Sequence, residues 1–204
     1  MKHRRSPEPT AAKVHPPLLT LQLHGTARVV AAAGVAGVAQ VVLERRAAAL
    51  CALAALEPGF PRERAAAWLW PDSSDARRNL RQQLLRFKQQ FGLALLAGGE
   101  GLQLAAGVQL ANPGRSAAPW LAELDFDDSE TFSGWLQTQR QRRRAHLRDM
   151  LLGELAQAKA AHDLEAAVHA AQALCDAEPE HEEHPRALMR VHGGVRLLPQ
   201  EMLG

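Results

Sequence analysis

The sequence predicts a mainly α-helical chain with a small amount of β-structure near its start, and three observations predict it. Of 204 residues, 47% are hydrophobic but only 4% are aromatic and tyrosine is absent, so alanine and leucine supply most of the apolar surface and favour helix over a large sheet. Apolar residues recur every three or four positions along 45–56, 62–70, 75–91 and much of 132–177, the period of helices that hide one face. Alternation with period two is clear only at Leu19, Leu21 and Leu23, which are separated by Thr20 and Gln22. The length suits one or two globular domains, and the glycine and proline clusters at 58–59, 98–101 and 111–119 favour two small ones.

Residues 1–16 carry Pro7, Pro9 and Pro16 among charges and small side chains, a composition that buries little surface, so a disordered basic arm is expected. Leu19 to His24 reads as a half-buried strand, Gly25 as a turn and Ala27–Val30 as a second strand. Gly34 and Gly37 bracket another turn before Val38–Leu43. Arg45–Leu56 then forms a helix with Leu50, Leu53 and Leu56 as its stripe and Pro58-Gly59 as its stop. A short helix, Arg62–Trp70, packs Ala66, Leu69 and Trp70 inward and ends at Pro71. Four N-cap residues, Asp72-Ser73-Ser74-Asp75, start a third helix that runs to Phe91 and stops at Gly92. Two short apolar runs around Gly98-Gly99-Glu100-Gly101 read as a hairpin. Three helices followed by a hairpin make a winged helix-turn-helix, placed here at 17–110.

The third helix is the functional candidate. Ala76, Leu80, Leu84, Phe87 and Phe91 form its apolar face. A step of about 100° per residue puts Arg78, Arg81, Gln82, Leu85 and Gln89 opposite Leu80, with Arg77 and Lys88 on a flank. Arginine pairs bidentately with guanine and glutamine with adenine, so this face suits a major groove. The expected DNA contacts are Arg77, Arg78, Arg81, Gln82, Leu85, Lys88 and Gln89.

The stretch Arg45–Gly92, with Leu69-Trp70-Pro71 and Asn79-Leu80-Arg81 as its most specific steps, resembles the winged-helix DNA-binding domain of the Streptomyces antibiotic regulatory protein type. The resemblance implies that the third helix is a recognition helix and that Gly98–Gly101 is the tip of the wing.

By composition, 111–119 (ANPGRSAAP) is a linker and a second unit follows at 120–192. Asp125, Asp127, Asp128 and Glu130 crowd its start but lack the central glycine and closing glutamate of a calcium loop. A long helix carries Arg140, Arg142, Arg143 and Arg144, charges spread round it that are expected to solvate it. After His162-Asp163, the spacing of Ala167, Ala171, Leu174 and Pro179 approximates the second half of a tetratricopeptide repeat, so 148–161 is expected to pack on 164–177. Phe132, Trp135, Arg140, the alanine-rich hairpin, Pro179 and Arg186-Ala187-Leu188-Met189-Arg190 resemble the bacterial transcriptional activator domain, the tetratricopeptide-like module that accompanies this winged helix. A further helix from Glu180 is followed by an irregular tail at 193–204 that makes a poor partner for it. That end is expected to self-associate or to mark a shortened form of a longer regulator.

The formal charge is only +2, so a nucleic-acid site must be a local patch. Cys51 and Cys175 sit in helical patterns and give no disulfide framework, and no apolar run is long enough for a bilayer, so a cytoplasmic, non-membrane protein is expected. Phosphate-loop, nucleophile-elbow and paired-cysteine motifs are lacking, and His181 with His184 lacks metalloprotease spacing, so no catalytic residue, metal or cofactor is expected. These features point to a sequence-specific transcriptional regulator of double-stranded DNA, an activator by its resemblance. RNA polymerase and a second copy of the helical unit are its further expected partners. The alternative is a helical-repeat adaptor whose winged helix does not bind DNA, which charge placement argues against. RNA binding, a third possibility, lacks exposed aromatic platforms.

Overall fold

The computed structural model describes residues 18–32 and 40–177, and over these the chain is mainly helical with a small sheet. The alternating leucines open it. β1 (Leu19–Gln22) pairs antiparallel with β2 (Arg28–Ala31), Leu19 opposite Ala31, and β3 (Gln40–Val42) pairs antiparallel with β2. Leu19, Leu21 and Leu23 are buried in the core, as period-two alternation requires of a sheet with one solvated face.

α1 (Arg45–Leu56) departs from the narrow leucine stripe expected of it. Every residue from Ala47 to Ala54 is buried, because its many alanines let neighbours close in from all sides. β4 (Phe60–Pro61) leads directly into α2 (Arg62–Leu69), whose Ala65, Ala66 and Leu69 are buried while Trp70 is half-buried beyond its end. α3 (Ala76–Phe91) follows, then the hairpin of β5 (Leu96–Ala97) and β6 (Gly101–Leu104). β4 joins the far edge of β6, giving the order β4-β6-β5. β7 (Val108–Leu110) runs parallel to β1 and completes the larger sheet as β3-β2-β1-β7. Neither β4 nor β7 was foreseen, since two or three residues are too few to show a period.

The boundary between units also differs from the expectation. Residues 111–119 were expected as a linker and Trp120 as the start of a second unit, but this stretch is stitched to the first. Gly25 N–H donates to Pro119 O at 3.1 Å and Leu121 N–H to Leu23 O at 2.8 Å, with a bridge between His24 and Trp120. Trp120, Leu121, Phe126, Phe132 and Leu136 all belong to the core built by the sheet and α1–α3. Aromatic and leucine side chains were available just past the small-residue stretch, and burying them there covers apolar surface of the first unit.

The division instead falls inside α4 (Glu130–Ala160). Its Leu147, Leu151, Leu155 and Ala158 pack on Ala167, Ala170, Ala171 and Leu174 of α5 (Leu164–Ala177) as a second, separate cluster. Asp163 caps α5 by accepting from Ala166 N–H at 3.0 Å, and His162 makes the turn at φ 55°. Two of the four arginines expected to solvate α4 do something else. Arg140 donates to the carbonyls of Trp120 and Leu121 at 2.8 Å each, and Arg143 to that of Gly114 at 2.6 Å. They clamp the preceding chain against the helix, while Arg142 and Arg144 remain exposed.

Among the described residues no helix is long and apolar enough to cross a membrane. The arm at 1–16, the turn at Gly34–Gly37, His181 and His184, the helix from Glu180 and the tail at 193–204 lie outside the described residues.

Candidate nucleic-acid interface

α3 is fixed at both ends by side-chain and backbone chemistry legible in the sequence. Of the four capping candidates, Asp75 takes the role: its carboxylate accepts from Arg78 N–H at 3.2 Å. Ser73 supports it, accepting from Asp75 N–H at 3.2 Å and from Asn79 Nδ2 at 2.9 Å. At the other end Gly92 adopts φ 69°, the left-handed conformation that closes a helix at least cost to glycine. Leu80, Gln83 and Phe87 are buried beneath the helix, and Ala76, Leu84 and Phe91 are half-buried beside them.

The opposite side is open. Arg77, Arg78, Arg81, Gln82, Leu85, Lys88 and Gln89 are all exposed, and Leu85 is exposed over 55% of its surface. The structure thus brings all seven expected contacts to one surface of one helix. Such a surface can donate in fork geometry to guanine, bond both ways to adenine and place an apolar group against a thymine methyl. Arg77 also pairs with Glu63 of α2 at 2.5 Å, but both side chains are largely exposed, so the pair offers little resistance to a competing phosphate.

Two clefts flank this surface. One, of about 320 Å³, lies between α3 and the hairpin, with Arg62, Arg81 and Lys88 around a floor that includes Leu84, Leu95 and Leu102. Arg62 was not foreseen as a site residue. Its guanidinium donates to Gly98 O and Gly99 O, both at 3.2 Å, and so holds the hairpin tip beside α3. The tip itself needs glycine: a Cβ on Gly98 would lie 1.8 Å from Gly101 O, and one on Gly101 would lie 2.6 Å from Gly59 O. Glu100 is the charged residue of the turn itself, so the cation at the tip is Arg62.

The second cleft, of about 330 Å³, lies between α3 and the start of α1, lined by Glu44, Arg45, Arg46, Trp70, Asn79, Gln82, Gln83 and Arg86. Arg45 grips Asp128 with both terminal nitrogens at 3.0 and 2.7 Å, and Arg46 reaches the same carboxylate at 2.5 Å. Burial lowers the Arg46 guanidinium from its ordinary value, and the facing Asp128 works against that shift. Asp128 is one of the clustered acids that lack the spacing of a calcium loop, and it serves these arginines. None of Arg45, Arg46 and Asp128 was foreseen here, because the pairs join residues more than 80 positions apart.

Reactive groups elsewhere are muted: Cys51 is fully buried and its thiol is pushed up by that burial. No protein-family profile, no curated protein and no solved structure matches the chain.

Proposed function

We propose that the chain is a sequence-specific DNA-binding transcriptional regulator, an activator of the Streptomyces antibiotic regulatory protein type. In this reading residues 17–110 act as a winged helix-turn-helix, α3 enters the major groove, and α4 with α5 begins a tetratricopeptide-like activator module that meets RNA polymerase or a second copy.

The observation that carries the reading is the outer face of α3. Four cations, two amides and one leucine stand exposed together on a helix capped at both ends, while its other face is anchored by Leu80 and Phe87. Exposed arginine on an otherwise structural helix costs nothing, but the combination with Gln82, Gln89 and Leu85 matches the chemistry of base edges rather than of solvent alone. A scaffold adaptor gives no reason for that combination.

The test is selection of bound sequences from random duplex DNA at near-physiological salt. One preferred motif is expected, with affinity falling at a log-log slope of about −5 to −7 as roughly five to eight phosphates release their counterions. Arg81→Ala or Gln82→Ala should alter preference at one motif position and cost about 1–3 kcal/mol. Lys88→Ala should weaken all duplexes alike. A library that emerges without enrichment, or an affinity indifferent to salt, sinks the proposal in favour of the adaptor.

A further inference from the structure

Resting on that reading, we propose that the cleft between α1 and α3 is a second phosphate-binding site: Arg45, Arg46 and Arg86 take the sugar–phosphate backbone beside the bases α3 reads, and Asp128 occupies the α1 arginines when no duplex is bound. Gln82 ties the cleft to the reading face, since it is exposed on the outer side of α3 and also lines the cleft wall. A strand lying along α3 on that side therefore passes over Arg86 and the start of α1. Arg86 is exposed and makes no hydrogen bond or ion pair with a described residue. The Arg46 Nη1 donor is buried without a hydrogen-bond partner among the described residues, so the site has a donor unspent even while Asp128 is in place.

Charge decides the sign. Around the cleft, Arg45, Arg46 and Arg86 face Asp128, Glu44 and, on the Arg46 side, Asp72, so the charges balance while Asp128 is engaged and one positive charge remains when it is not. A phosphodiester carries one negative charge and presents two unesterified oxygens to a guanidinium, as a carboxylate does, so it can replace Asp128 at the same donors. Asp128 is 38% exposed, which makes the exchange inexpensive: the released carboxylate hydrates without unpacking a core. The loop carrying Asp128 leads into α4 and is tied to α2 by a hydrogen bond from Ser129 Oγ to Trp68 O. Duplex binding and the seating of that loop thus compete, and linkage makes the competition reciprocal.

The experiment measures duplex affinity as a function of salt for the full chain, using the selected sequence and an unrelated duplex, with Asp128→Asn and Arg86→Ala. Asparagine keeps the shape and an acceptor oxygen but removes the charge. Asp128→Asn is expected to bind both duplexes about three- to tenfold more tightly at low salt and to steepen the slope by about 1. Arg86→Ala, an exposed change that leaves the core intact, is expected to weaken both duplexes equally and to flatten the slope by about 0.9. If the chain binds DNA and responds to Arg81→Ala while both of these variants match the parent, the second site is refuted and the recognition helix stands. If the parent binds no duplex at all, the functional reading falls and this inference falls with it.

Discussion

Asp75 shows how one side chain decides the start of an interface. By accepting the Arg78 N–H it fixes the first turn of α3, which carries Arg77 and Arg78. Asp75→Ala should cost about 0.5–2 kcal/mol of stability in urea unfolding, the usual value of an N-cap. His24 carries a pH dependence. Burial first, and then Arg143 and Arg28, lower its ring from the ordinary 6.5, and its Nδ1 is buried without a partner among the described residues. Between the lowered value and 6.5 the unfolded chain accepts a proton that the folded chain refuses. Stability should therefore fall as pH drops below 6.5 and level off once the folded ring also titrates. His24→Gln should remove that part of the profile, and an unchanged difference between variant and parent across this window would exclude it. Residues of this kind divide by whether their partners are local. The outer face of α3 was legible because each step of about 100° fixes which side a residue occupies. Arg62, Arg46 and Asp128 were not, since each gains its role from a chain segment far away in sequence.

At the scale of elements, α4 is joined to the end of α1 by a small polar lock. Trp135 Nε1 donates to Glu57 Oε1 at 2.7 Å and Gln139 Nε2 to the same oxygen at 3.1 Å, while Phe132 packs against Trp135 with ring centroids 5.4 Å apart. Glu57→Ala leaves both donors unpaired in a partly buried seam, so a loss of about 1–3 kcal/mol in denaturant unfolding is expected. Trp135→Phe, which removes one of the donors, should lose less. Helix boundaries were the most readable elements: α1 matches its expected span, α5 starts where expected, and α3 keeps its span because a cap and a glycine delimit it. The short strands were not, because β4 and β7 are defined by hydrogen bonds to β6 and β1 rather than by any pattern of their own.

For the whole molecule, two cores of unequal strength share one helix. The first gathers leucines and aromatics from the sheet, α1–α3, the hairpin and the start of α4, whereas among the described residues the second gathers four buried residues of α4 and four of α5, half of them alanine. Among the described residues less apolar area is buried there, so local opening is cheaper. Hydrogen exchange should find Phe132–Arg140 protected with the first core and 147–177 exchanging faster; equal protection along the length of α4 would show a single cooperative unit. The stretch 111–119 has the small, proline-containing composition of a spacer, but Arg140 and Arg143 of α4 hold the chain from Gly114 to Leu121, and composition carries no trace of that hold. The parallel pairing of Leu19 with Val108, reinforced by the bond from Leu121 N–H to Leu23 O, has a consequence in time. A ribosome delivers β1 first, yet its second neighbour emerges only after α1, α2, α3 and the hairpin have all been made. Until then α1, apolar on every side, lacks β6 and the Trp120–Leu136 cover, so the nascent chain must wait in a shielded, unfinished state.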